Sequence, residues 1–130
     1  LDRMEQATER GDWEAVKEGA QWFYSELKVH NEAEETYLFP LMDPLFSGGP
    51  GPTSCMREEH RNIWDLTLMV LGELSDGTPR HPGQCERLAL QLITNLRSHI
   101  EKENNVLYPM AERMLDAAAL ERLNLALSKA

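Results

Sequence analysis

The sequence has few cysteines and no cluster of basic residues. Its 130 residues include two cysteines, Cys55 and Cys85, too few for the disulfide framework of a small secreted domain. Lysine and arginine number 13 against 22 aspartates and glutamates, which gives a formal net charge of -9. An acidic chain without a basic patch argues against a nucleic-acid partner. We therefore predict two free thiols and no nucleic acid.

Long hydrophobic runs are also missing. No segment stays apolar for the roughly 20 residues that a transmembrane helix needs, and no basic segment leads into an apolar one as in an export signal. We therefore predict no membrane association and a cytoplasmic location. The chain begins at Leu1 inside a helical pattern, so we expect that most of a first helix lies upstream.

Strand-like alternation is absent, and apolar residues recur at helical spacing instead. The length suits a single domain over residues 1–130. We predict the end of a helix over about 1–10, and long helices over about 13–42, 54–75 and 83–108. Long helices with short connections favour an all-α, antiparallel up-and-down four-helix bundle. Its first helix is only partly present, and a short helix follows at the C-terminal end.

Turn and capping residues predict where the helices begin and end. Gly11 is expected to end the first helix, and Thr53 to cap the third. Asp116 is expected to cap a last helix that reaches residue 129. Glycines and prolines over 47–52 predict a loop. Pro40 is expected to bend the second helix, because proline removes a backbone hydrogen bond.

One motif occurs twice, at residues 30–40 and 99–109, and both copies read H-x-x-x-E-x-x-x-L-[FY]-P. In each copy a histidine and a glutamate lie four residues apart, so on a helix they share a face and can both contact one metal ion. A single pair of this kind is common on helices. Two copies with the same ending indicate a metal site.

The third helix brings another histidine to the same level of the predicted bundle. At about 1.5 Å per residue, the two pairs and His60 lie roughly 8 to 18 Å from helix ends that share one end of the bundle. His81 lies roughly 30 Å from His60 along the third helix, so we do not expect it to be a ligand. The candidate metal ligands are His30, Glu34, His60, His99 and Glu103.

Three imidazoles and two carboxylates suit iron or manganese better than structural zinc, which takes four ligands and is richer in cysteine. Glu34 and Glu103 come from different helices and would hold two ions close together. Open coordination positions would admit a small molecule such as dioxygen. The residues alone therefore predict two ions of iron or manganese.

These motifs, together with Glu59-His60-Arg61, resemble the hemerythrin-like, or HHE cation-binding, family. The resemblance implies a four-helix bundle that holds a non-haem di-iron centre at the five residues named above. Two positions depart from the family's pattern. No histidine precedes His30, so either the first helix lies largely upstream or the site is changed. Met56 stands where oxygen carriers have a further histidine, which favours a core role for Met56 and argues against reversible dioxygen storage.

Three functions are compatible with these observations. In the first, the chain is a di-iron protein that binds or senses dioxygen, nitric oxide or peroxide, or handles iron. In the second, it is an enzyme that consumes peroxide or repairs iron centres. In the third, it is a regulatory module that folds around iron. The expected partner is a small diatomic molecule or peroxide, and the oligomeric state stays open. Glu26 and Glu59 are read as surface or supporting carboxylates, and Tyr37 and Trp64 as core or pocket residues.

Overall fold

The computed structural model describes residues 1–45 and 51–128, and all regular structure in these ranges is helical. This confirms the all-α class. The helices are α1 (Asp2–Arg10), α2 (Trp13–Ala33), α3 (Phe39–Met42), α4 (Pro52–Glu73), α5 (Pro82–Lys102), α6 (Tyr108–Met114) and α7 (Ala117–Ser128), with a 3-10 turn at Asp43–Leu45. Most of the predicted loop over 47–52, and residue 129 at the end of the last predicted helix, lie outside the described residues.

The first helix ends as predicted, at Gly11. This glycine has φ 70°, a left-handed conformation that costs other residues more. Its amide donates to the Thr8 carbonyl at 3.2 Å, and the Asp12 amide donates to the Ala7 carbonyl at 2.8 Å. This pair of bonds is a Schellman motif, which satisfies carbonyls at the end of α1.

Each copy of the repeated motif contains a π-helical turn, Glu34–Leu38 in the first and Glu103–Leu107 in the second. The residue after each turn donates its amide to the glutamate carbonyl five residues back. Pro40 and Pro109 follow directly. In an α-helix their rings would clash with the carbonyl four residues back, and the wider turn changes that spacing. The fourth predicted helix therefore continues through Pro109, where the sequence predicts an end or a kink, into α6.

The π-helical turns shift the buried face by one residue. A regular α-helical rhythm places Tyr37, Leu41 and Val106 on buried faces, but they are 50%, 36% and 48% exposed. The next residue is buried in each case. The prediction that Tyr37 packs in the core is therefore wrong, because the extra residue in the turn rotates it outward.

The helices are grouped in two compact units. The first comprises Leu1–Glu26 and Arg61–Ser98, and the second comprises Leu27–His60 and His99–Ala130. All five predicted ligands belong to the second unit. Buried apolar residues of the first unit are Met4, Ala7, Val16, Ala20, Ile63, Val70, Leu74, Cys85, Ala89, Leu92, Ile93 and Leu96. The core cluster of the second unit is Leu38, Phe39, Met42, Met56, Leu107, Ala111 and Leu123.

Thr53 does not cap α4 as predicted, because the helix already begins at Pro52. Its hydroxyl instead donates to the Asp43 carboxylate at 2.6 Å. Arg57 donates to both oxygens of Asp43, at 3.3 and 2.7 Å, and its guanidinium lies 5.0 Å from the centre of the Phe39 ring. The hydrogen bonds from Arg57 and Thr53 hold the pKa of Asp43 below its usual value. They tie the start of α4 to the end of α3.

Three further observations concern residues outside the site. Asp116 caps α7 as expected, since its carboxylate accepts a hydrogen bond from the Ala119 amide at 2.7 Å. Cys55 is exposed and Cys85 is buried, and both are free thiols. Within residues 1–45 and 51–128, no helix is both long and apolar enough to cross a membrane.

Candidate metal centre

Four of the five predicted ligands meet in the interior of the second unit. Glu34, His60, His99 and Glu103 are buried, and each offers one ligand atom within 4.8 Å of the others. His30 lies at the edge of this cluster, with 38% of its side chain exposed. Its Nε2 atom is 3.0 Å from Glu34 Oε1. The structure therefore brings all five together, four inside and one at the rim.

The two buried histidines point the same ring atom at the glutamates. The Nε2 atom of His60 lies 3.6 Å from Glu34 Oε1, and the Nε2 atom of His99 lies 2.7 Å from Glu103 Oε1. The two imidazole rings are in edge contact, with centroids 4.8 Å apart. Two nitrogens and two carboxylate oxygens from different helices thus surround one small space.

The outer nitrogens of these histidines face two more glutamates. The Nδ1 atom of His60 is 3.3 Å from Glu35 Oε1, and the Nδ1 atom of His99 is 3.6 Å from Glu59 Oε1. Lys102 in turn donates to both oxygens of Glu59 at 3.3 Å. A carboxylate behind a histidine orients the ring and raises the basicity of its free nitrogen. This placement favours the supporting role for Glu59, whereas Glu26 is an exposed side chain.

The π-helical turns bring two aromatic residues to the site. Five residues after a glutamate, an α-helix would have turned by about 500°, leaving the side chain roughly 140° from it. In a π-helical turn five residues complete about one turn, so Phe39 and Tyr108 return to the face of the ligands. The Phe39 ring stacks on His60, with centroids 5.7 Å apart.

Tyr108 is the site residue that the sequence interpretation missed. Its hydroxyl lies 3.3 Å from His30 Nε2, 3.4 Å from Glu34 Oε2 and 3.5 Å from Glu103 Oε2. The indication was present in the motif, where the position before proline is Phe39 in one copy and Tyr108 in the other. Its meaning depended on the π-helical turn.

The charges of the site are strongly coupled. Hydrogen bonds to Glu103 and Glu34 raise the pKa of His30 to about 10. Burial lowers the pKa of His99, but the hydrogen bond and charge of Glu103 outweigh burial and leave that pKa raised. Burial raises the pKa of Glu103, yet hydrogen bonds with His30 and His99 bring it well below its ordinary range. Protons therefore balance the carboxylates when no metal does so.

A metal ion fits the unsatisfied atoms of this cluster. Six buried side-chain atoms lack a well-aligned hydrogen bond among the described residues, although those of the cluster lie at ion-pair distance from one another, and one of the six is Asn31 Oδ1. The other five belong to the predicted ligands: Glu34 Oε1, His60 Nε2, His99 Nδ1, His99 Nε2 and Glu103 Oε1. Each unsatisfied buried group costs on the order of 1–3 kcal/mol. Four of the five are imidazole Nε2 and carboxylate oxygens grouped around one point, which is the donor set of a non-haem metal site.

Three residues that the sequence did not favour as metal ligands have other roles in the structure. His81 belongs to the first unit, where its Nδ1 atom lies 3.1 Å from Glu73 Oε2. Met56 is buried in the core cluster of the second unit, as predicted. Trp64 is half-buried and stacks on Tyr24 with ring centroids 4.7 Å apart, which supports the packing role.

Comparison with known proteins gives one family and several relatives. The family described as "Hemerythrin HHE cation binding domain" matches residues 1–111. Proteins named "Iron-sulfur cluster repair protein YtfE" are similar to the chain: one from Pectobacterium atrosepticum is 33% identical over 97 residues, 69% of this chain and 43% of the relative. The relative from Escherichia coli O157:H7 is 34% identical, over 68% of this chain and 43% of the relative. The relative from Edwardsiella ictaluri is 36% identical, over 66% of this chain and 42% of the relative. The chain thus spans less than half the length of these relatives. No solved structure matches it.

Proposed function

We propose, from the premise that the chain belongs to the hemerythrin HHE cation-binding domain family, that it holds two non-haem iron ions. The observation that supports this most strongly is the group of unpartnered buried atoms on the predicted ligands. As part of the same proposal, the helices form one antiparallel four-helix bundle domain, and the location is cytoplasmic. Manganese and partial occupancy remain the alternatives. The proposed ligands are His30, Glu34, His60, His99 and Glu103.

In this proposal the two glutamates would serve both ions. In each, Oε1 lies beside a buried histidine, while Oε2 lies near Tyr108. Their two negative charges would offset the charge of the cations. When bound, the ions would supply one-electron redox chemistry and open coordination positions for a small molecule. Glu35 and Glu59 orient His60 and His99 from behind.

The exposed edge of the cluster provides a route for a small ligand. His30 is 38% exposed, whereas the side chains of the other four ligands are at most 8% exposed. A small molecule such as dioxygen, nitric oxide or peroxide would therefore reach the centre beside His30. The phenol of Tyr108 lies at the same edge, 3.3 Å from His30 Nε2, where it can donate a hydrogen bond to an arriving molecule.

We further propose that the chain serves the repair of iron–sulfur clusters. Its relatives carry the name "Iron-sulfur cluster repair protein", and the family and the buried His and Glu cluster match an iron-handling role. Repair is thus favoured over a purely regulatory module. The chain spans less than half the length of these relatives, so repair by this chain is a proposal that is tested on the chain itself.

The repair proposal predicts recovery of a damaged iron–sulfur enzyme. A dehydratase inactivated by peroxide or nitric oxide is incubated with the iron-loaded domain, and its activity is followed. We expect the loaded domain to restore more activity than the same amount of free ferrous iron. As a control, Glu34→Ala mixed with equal iron should do no better than free iron. Equal recovery in all three mixtures would count against the repair role while leaving metal binding intact.

Metal uptake is expected to release protons. With its pKa raised to about 10, His30 is protonated at pH 7 in the metal-free protein, and a protonated imidazole cannot bind a metal. Because the pKa is raised, the proton stays bound at all pH values below about 10, so metal affinity should increase as pH rises toward that value. Calorimetric titrations with ferrous iron, in buffers of different ionisation enthalpy at pH 7, measure the protons released.

The control for proton release is the variant His30→Gln, which has no titrating imidazole. It should release at least one proton fewer than the wild type. Wild-type uptake of iron without any proton release would contradict the charge state inferred for the metal-free site.

A further inference from the structure

The two oxygens of each proposed bridging glutamate face different surroundings. Glu34 Oε1 lies 3.6 Å from His60 Nε2 and 3.0 Å from His30 Nε2, and Glu103 Oε1 lies 2.7 Å from His99 Nε2. Both of these oxygens are buried and lack a hydrogen-bond partner within the described part of the chain. The Oε2 atoms of the same residues instead lie within reach of the Tyr108 hydroxyl. Tyr108 therefore lies on the Oε2 side of both glutamates, where its single hydroxyl proton can be donated to one of these oxygens at a time.

The Tyr108 hydroxyl is nearly equidistant from three potential metal ligands. The distances are 3.3 Å to His30 Nε2, 3.4 Å to Glu34 Oε2 and 3.5 Å to Glu103 Oε2. The phenol oxygen lies to one side of this group, within hydrogen-bonding distance of all three atoms. A cation held by the same atoms would need the lone pairs that the hydroxyl contacts. An ion and this hydroxyl therefore compete for the same ligand atoms.

We propose that the two metal positions are unequal, and that Tyr108 is the residue that makes them so. The inner position, formed by Glu34 Oε1, His60 Nε2, His99 Nε2 and Glu103 Oε1, takes the first ion. The hydroxyl of Tyr108 contacts all three ligand atoms of the outer position at His30, and a second ion binds there only when these contacts break. This inference rests on the proposed function, because it requires that the cluster bind metal.

The repeated motif supplies the variant that tests this role. Phe39 stands at the equivalent place in the first copy and packs in the core cluster without a hydroxyl. Tyr108 packs against the same cluster, so Tyr108→Phe keeps the ring and removes the donor alone. Tyr37→Phe is the matched control. Tyr37 belongs to the same unit, and it is half exposed and lines a surface groove with Pro40 and Leu123.

The experiment is a calorimetric titration of the metal-free chain with ferrous iron in the absence of dioxygen. Wild type and Tyr37→Phe should show one tight and one weaker binding step. In Tyr108→Phe the weaker step should become about tenfold tighter, since a hydrogen bond to a charged group is worth roughly that factor. The first step should stay within about twofold. Iron content of each variant after dialysis provides the second readout.

The possible outcomes separate this inference from the proposed function. Two equally tight ions in the wild type, or a second step that Tyr108→Phe leaves unchanged, would overturn the role of Tyr108 while the metal site stands. A weaker second step in Tyr108→Phe would also overturn it, because it would show that Tyr108 assists the second ion. No iron binding by the wild type would instead refute the metal site itself.

Discussion

Replacing Glu34 with alanine is expected to abolish the binding of both metal ions. The side chain is fully buried, and its Oε1 atom lies 3.0 Å from His30 and 3.6 Å from His60. Its second oxygen faces the outer position beside Tyr108. Because even residues behind the ligands are worth about 10–100-fold in metal affinity, loss of a shared ligand should cost on the order of 100-fold or more.

The measurement for this variant is the iron content after purification and dialysis. Glu32→Ala is the matched control, because Glu32 lies on the same helix and is exposed. It should retain the wild-type content. Circular dichroism of both variants checks that the helices are intact. Wild-type iron content in a folded Glu34→Ala protein would show that the metal binds elsewhere.

Removal of the metal is expected to lower the melting temperature by about 10–20 °C. Without an ion, four buried ligand atoms around one point have no well-aligned hydrogen bond among the described residues, and an unsatisfied buried group costs on the order of 1–3 kcal/mol. An ion that binds only the folded state adds about 4 kcal/mol of stability at a thousandfold excess over its dissociation constant. For a domain of this size, each kcal/mol corresponds to roughly 3–5 °C.

Thermal unfolding followed by circular dichroism, with loaded protein and with protein treated with a chelator, measures this difference. Glu34→Ala provides the control, since its melting temperature should not respond to the chelator. If the iron-loaded wild type melts within about 2 °C of the metal-free form, metal binding does not satisfy the unpartnered ligand atoms.

The helices and the candidate ligands could be predicted from the sequence because both depend on a regular spacing of residues. Apolar residues at intervals of three and four residues predicted the long helices, and Gly11 and Asp116 predicted two of their limits. The spacing of His30 and Glu34, and of His99 and Glu103, placed each pair on one helical face. The rise per residue then brought His60 to the same level, and the structure places all five in one unit.

The π-helical turns and their consequences were not predictable from hydrophobic spacing. A regular helix through Glu34 exposes Phe39 and buries Tyr37, and the structure has the reverse. The difference arises because the ring of Pro40 would clash with a backbone carbonyl in a regular α-helix. The spacing of apolar side chains carries no information about this clash. The same turn brings Tyr108 to the site.

The carboxylates behind the histidines also required the structure. Whether Glu59 faces His60 or His99 depends on the rotation of α4 against α5, to within a fraction of a turn. Glu59 precedes His60 in the sequence, yet the structure places its Oε1 atom 3.6 Å from His99 Nδ1. Glu35, on the π-helical turn, faces His60 instead.

Anomalous X-ray diffraction at the iron edge, from crystals of the iron-loaded chain, tests the central claim most directly. We predict a strong anomalous peak between the carboxylate oxygens of Glu34 and Glu103 and the Nε2 atoms of His60 and His99. A second peak at lower occupancy is expected beside His30, and it should grow in Tyr108→Phe. An iron-loaded crystal without an anomalous peak among these residues would contradict the metal site and the function built on it.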